Sequence, residues 1–163
     1  MKRILLFSHA QHLEILKKIK PFTKYVEIAT PYRDGDDEEL IVALRPFLIE
    51  TKKTKEWTGT RTWSEMATSL YRYNCNDELF RILSEYESFF ISVNIQKISN
   101  YVKQICGAVN VGYWQAYGTS FGDIDIAFFD ENNEELFSTT THEGIAIINE
   151  KFELDNEDLY TPH

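Results

Sequence analysis

The chain has 163 residues, with 26 acidic and 17 basic side chains for a net charge of −9, and is 43% apolar and 14% aromatic. That apolar and aromatic content fills a core of ordinary domain size and excludes a disordered solvating segment, while the acidity disfavours nucleic acid and anionic lipid as partners. No uncharged apolar stretch approaches the roughly 20 residues that cross a bilayer, and the two cysteines, Cys75 and Cys106, are no disulfide framework.

Lys2 and Arg3 precede an apolar run, Ile4 to Phe7, that stops at Ser8 and His9. This is far short of a signal-peptide core, so the cytoplasm is the expected compartment. Ile4 to Ser8 reads as a short strand, Leu13, Leu16 and Ile19 as an amphipathic segment closed by Pro21, and Tyr25 to Thr30 as a second strand. Strand, helix and strand in about thirty residues suit a parallel crossover. No Gly-rich loop follows the first strand, which removes support for nucleotide binding there. Asp36 is placed to cap a helix whose first turn holds Asp37, Glu38 and Glu39 and whose stripe is Leu40, Ile41, Leu44 and Leu48. Pro46 ends it.

Thr51 to Thr62, with Lys52, Lys53, Lys55 and Arg61 around Trp57, reads as an exposed loop or an edge hairpin guarded by lysines. Glu65 to Tyr73 alternates as a strand. Asn76 then caps a helix carrying Leu79, Ile82, Leu83, Tyr86 and Phe90, and Asn94 caps another carrying Ile95, Ile98, Val102 and Ile105 up to Gly107. From Val111 the period changes to two. Val111 to Tyr117, Asp123 to Phe129, Glu135 to Thr141 and Ile145 to Ile148 form an expected antiparallel meander, with turns at Gly118 and Gly122, Asn132 and Asn133, and Gly144. No linker or repeat divides the chain. The expected fold is therefore α+β over a single domain, residues 1–163, a mixed sheet whose C-terminal antiparallel meander packs against helices.

Charge is unevenly shared. Residues 101–163 hold twelve acidic side chains against Lys103 and Lys151, a net of −10, while the first hundred residues sum to +1. An Asn132-Asn133 turn that sets Asp130 opposite Glu135 places Phe128 opposite Phe137, Ile126 opposite Thr139, Asp125 opposite Thr140 and Asp123 opposite His142. Ile124, Ile126 and Phe128 then face inward, and Asp123 and Asp125 join His142 and Glu143 on an acidic outer face.

Two aspartates, a histidine and a glutamate are the donor types that hold a divalent metal or do acid and base work, so a small metal-dependent hydrolase at Asp123, Asp125, His142 and Glu143 is one reading. Against it, Asp-x-Asp on an exposed strand is common, and His142-Glu143 lacks the second histidine of the zinc-protease pattern. Neither cysteine sits in a setting that lowers its pKa, and no serine or threonine lies in a nucleophile elbow. His9 and His12 follow the first strand, where crossover folds place ligands, but position alone supports them. Tyr113, Trp114 and Tyr117 have the chemistry of interface anchors, or of a core face.

The stretch Gly122-Asp123-Ile124-Asp125-Ile126-Ala127-Phe128-Phe129-Asp130, followed by Glu135-Leu136-Phe137-Ser138-Thr139-Thr140-Thr141-His142-Glu143, resembles small bacterial immunity proteins of contact-dependent-inhibition and related polymorphic toxin systems. The segment Asp77 to Phe90 is a looser echo of the same family, and the likeness covers about a third of the chain. The resemblance implies a protein with no catalytic residue, metal or cofactor, which binds a cognate toxin domain, often a nuclease, and blocks it. A nuclease carries a basic cleft, and clustered carboxylates speed association with such a surface. The expected contact residues are Asp123, Asp125, Asp130, Glu131, Glu134, Glu135 and Glu143, with Tyr113, Trp114 and Tyr117. An acidic regulatory or scaffolding domain with another partner is the third reading.

Overall fold

Ser8 opens the first helix of the computed structural model, which describes residues 1–6, 8–30, 35–56, 63–85, 90–92, 115–117, 124–140, 145–155 and 160. The Ser8 hydroxyl accepts the Gln11 N–H at 3.2 Å, and α1, His9–Ile19, turns Gln11, His12, Ile15, Leu16 and Ile19 inward. A 3-10 turn, Lys20–Phe22, follows where Pro21 removes a backbone donor. Strand β1, Lys2–Ile4, precedes the helix, and β2, Tyr25–Thr30, follows it with the predicted bounds.

Helix α2, Glu39–Leu44, is shorter than the sequence suggests. Its N-cap is Glu38, not Asp36, whose carboxylate instead accepts the Tyr71 hydroxyl at 2.6 Å. Arg45–Phe47 is a 3-10 turn, and Leu48, expected on the helical stripe, begins β3, Leu48–Glu56. That strand and β4, Trp63–Asn74, form the edge hairpin that the lysine-rich stretch permitted. Helix α3, Asp77–Ser84, is capped as expected: Asn76 Oδ1 accepts the Leu79 N–H at 2.9 Å. It stops before Phe90, which lies in β5, Phe90–Ser92. The helix predicted after Asn94 and the Tyr86 position lie outside the described residues.

Strands β7, Asp125–Phe129, β8, Glu135–Thr140, and β9, Ile145–Ile148, are the predicted meander. They belong to a seven-stranded sheet of order β1-β9-β8-β7-β2-β4-β3. Of the segment expected to be the meander's first strand, the described part, β6, Gln115–Tyr117, pairs with β5 in a separate two-stranded sheet. The fold is α+β, but the mixed sheet is corrected, because every ladder among the described residues is antiparallel. Strands β1 and β2 do run in one direction, as a crossover requires, with β9, β8 and β7 between them.

The cross-strand register explains the core. Val26 and Ile28 of β2 pair with Tyr73 and Tyr71 on one side and with Phe128 and Ile126 on the other, and Phe128 pairs with Phe137. These side chains share one sheet face, and α1, α2 and α3 bury it with Leu16, Ile19, Leu40, Leu44, Phe80 and Leu83. Phe80 and Phe137 stand 5.8 and 5.9 Å from Phe128, centroid to centroid. Truncating such a ring costs about 3–5 kcal/mol, so Phe80 ties α3 to the sheet through Phe128. The opposite face carries a smaller cluster of Ala29, Leu70, Ala127 and Phe129 with Tyr25 at its edge.

Candidate functional site at the acidic end of the sheet

One end of the sheet gathers the start of β2, the end of β7, the start of β8 and the end of β9, because Tyr25 pairs with Phe129, Phe129 with Glu135, and Phe137 with Ile148. The β7–β8 register holds at Phe128 and Phe137 and at Ile126 and Thr139, as predicted. A bulge between Phe128 and Phe129 then shifts it, so Glu135 meets Phe129 and not Asp130.

Asp130 is thereby freed to build the turn. Its Oδ1 accepts the N–H groups of Asn132 at 2.8 Å and Glu134 at 2.9 Å, and Asn133 adopts the left-handed region at φ 59°. Glu134 accepts an Asn149 Nδ2–H at 2.8 Å, and Glu135 accepts the Ser138 hydroxyl at 2.6 Å. Three of the four predicted carboxylates at this end therefore have architectural duties as well. Glu131 is exposed, as is the rest of the turn to Glu134.

The segment after β9 completes the surface. Glu150, Glu153 and Asp155 are exposed, and Lys151 is the single lysine among them. Glu150 lies 3.7 Å from the N-terminal ammonium and Asp155 lies 4.0 Å from Lys18, both loose pairs in solvent. Phe22, 54% exposed, lies beside Asp130 and Glu131 in one concavity, its ring 5.6 Å from that of buried Phe152 and inclined at 66°. The structure thus sets the predicted turn residues Asp130, Glu131, Glu134 and Glu135 at one end with Phe22 and Phe152, which sequence reasoning did not single out, and exposes Glu150, Glu153 and Asp155 in the segment after β9. The charge of the last third was the available signal for the three acids. Nothing in the sequence marked Phe22, whose exposure follows from the 3-10 turn that Pro21 enforces.

Of the other expected residues, Asp125 and Tyr117 are described. Asp125 lies at the far end of β7 and is 2% exposed, which corrects its assignment to a solvent-facing acidic face. It is paired with Ala29 on the face where Ala127 and Leu70 are also covered. Tyr117 is in β6, opposite Phe90. Asp123, Glu143, Tyr113, Trp114 and His142 lie outside the described residues. So the hydrolase reading retains one described residue, and among the described residues no three metal-ligating side chains converge.

Two further groups bear on chemistry. His12 is buried, 6.3 Å from the Phe137 ring, and burial first, then the neighbouring His9, lower its pKa from 6.5 to about 3. It is a neutral core histidine at physiological pH. Burial likewise pushes the Cys75 thiol up to about 12, against the pull of Lys20, which makes it a poor nucleophile.

On the sheet face away from the helices, a groove of about 370 Å³ is lined by Glu27, Glu50, Lys52, Leu70, Arg72, Phe129 and Asn133. Its centre is the Arg72 guanidinium, which donates to Glu27 Oε1 at 2.7 Å and to Asn133 Oδ1 and stacks 4.2 Å from the Tyr25 ring centroid. Arg72 thus clamps the acidic turn to the middle of the sheet. Comparison of the chain with family models, with curated proteins and with solved structures returns no match.

Proposed function

We propose that this protein is a binding protein of the immunity type, which neutralises a basic toxin domain by covering it with the acidic end of the sheet. The observation that carries the reading is half-exposed Phe22 set in one concavity with Asp130 and Glu131 and packed against Phe152, whose own segment exposes Glu150, Glu153 and Asp155. Exposed carboxylates contribute little to stability, but their summed field raises the encounter rate with a basic cleft by orders of magnitude at low salt. An exposed ring at the centre of such a rim supplies the desolvated contact that slows dissociation. The turn is held by Asp130, Arg72 and Asn149, so little ordering cost falls on this surface when a partner arrives. The activity is occlusion, with no bond made or broken.

The test is co-expression with a candidate toxin, the C-terminal domain of a toxin gene found beside this one. The wild-type chain restores growth, and a Glu131→Lys, Glu150→Lys, Glu153→Lys triple variant of unchanged thermal stability does not. Growth equally restored by that variant, or no growth restored by the wild type, contradicts the reading.

A further inference from the structure

We propose that the acidic end contains a receptor for one cationic side chain of the partner, and that Lys151 is the chain's own occupant of it, displaced on binding. The proposal rests on the binding reading above and names the group which that surface recognises.

The Lys151 ammonium lies 5.7 Å from the centroid of the Phe22 ring and 5.6 Å from that of Phe152. It also lies 4.0 Å from Asp130 Oδ2 and 3.9 Å from Glu134 Oε2. Two rings set edge to face with two carboxylates are the elements that bind ammonium and guanidinium groups elsewhere. The lysine fills this setting poorly. Both carboxylate distances exceed the 3.2 Å or so of a direct hydrogen bond, and the side chain is 40% exposed. It is attracted and not locked, which is the condition for exchange.

The carboxylate of Asp130 is preorganised for an incoming cation. Its Oδ1 is committed to the two turn N–H groups, which leaves Oδ2 directed at the ammonium. Beside it a concavity of about 300 Å³ is lined by Pro21, Phe22, Thr23, Lys24, Asp130 and Glu131. Phe22 and Asp130 are common to the concavity and to the Lys151 contacts, so a side chain entering there meets the same ring and the same carboxylate. Lys24 places one positive charge on the rim, opposed by Asp130 and Glu131. A planar guanidinium stacks on Phe22 and reaches Asp130 and Glu134 in forked geometry, so arginine is preferred to lysine.

The experiment titrates N-acetyl-arginine methylamide into the whole protein at low salt and follows ring-proton resonances of Phe22 and Phe152. Wild type, Lys151→Met, Phe22→Ala with Lys151→Met, and Lys52→Met are compared, the last matching the charge change on β3, outside the Lys151 contacts and the concavity. Lys151→Met binds about two- to fivefold more tightly than wild type, the scale of one weak exposed ion pair. Lys52→Met shows no such gain, and adding Phe22→Ala removes it. An unchanged or weakened affinity in Lys151→Met, or an equal gain in Lys52→Met, overturns the proposal. Growth rescue is scored separately with the toxin domain. Rescue without the gain sinks the receptor alone, and the gain without rescue sinks the immunity reading alone.

Discussion

Asp125 and Asp130 stand at opposite ends of one strand and meet opposite environments. Asp125 is 2% exposed beside Ala29 and Ala127, whereas Asp130 heads a turn whose next four residues are all exposed. Both looked alike in sequence, acidic residues flanking an alternating strand. The difference shows that strand period assigns a residue to a face, while the covering of that face is a property of the whole fold.

The contrast predicts the largest effect at the buried end. Asp125→Lys, which inverts a covered charge, is expected to destabilise by more than about 3 kcal/mol in urea unfolding, whereas Glu131→Lys stays within about 0.5 kcal/mol of wild type. Equal losses would erase the distinction between the two ends. Asp130→Ala should fall between them, at about 1–3 kcal/mol, because two turn N–H groups lose their charged acceptor. Asp130→Asn, which keeps one acceptor oxygen, should recover part of that loss.

The core beneath α1 adds a pH signature. His12 has a folded pKa near 3 against 6.5 unfolded, so between these values the unfolded chain binds more protons and stability falls as the pH drops. The slope approaches about 1.4 kcal/mol per pH unit inside that window. A His12→Leu variant should show a flatter stability profile between pH 6.5 and 5, where most carboxylates are still ionised. Parallel profiles for the two proteins would mean that His12 is not held neutral in the core. The smallest expected effect is on Cys75, whose raised pKa should make alkylation by iodoacetamide at pH 8 much slower in the folded than in the unfolded chain.

Much of the fold was legible because local chemistry and long-range packing agreed. Asn76 capped α3 as its side chain dictates, Tyr25–Thr30 matched its apolar run, and the Asn132-Asn133 turn set Phe128 opposite Phe137. The misreadings arose where tertiary context overrode a local signal. Asp36 had the chemistry of a cap but was taken by the Tyr71 hydroxyl from a strand 35 residues on, and Leu48 fitted a helical stripe but was drawn into the β3–β4 ladder. The β1-α1-β2 crossover keeps its two strands in one direction, but three later strands insert between them, so no parallel ladder forms. At the candidate site, sequence located the acidic turn and its charge. It did not reveal the bulge that turns Asp130 away from Glu135, nor the 3-10 turn that brings Phe22 against Phe152.

The proposed function is tested most directly by the association rate of a candidate basic toxin domain with this protein as a function of ionic strength. For the wild type the rate should fall steeply with added salt, and a Glu131→Lys, Glu150→Lys, Glu153→Lys variant should associate at least tenfold more slowly at low salt with a flattened dependence. Identical rates and salt slopes for the two proteins would place the contact elsewhere on the molecule and contradict the account.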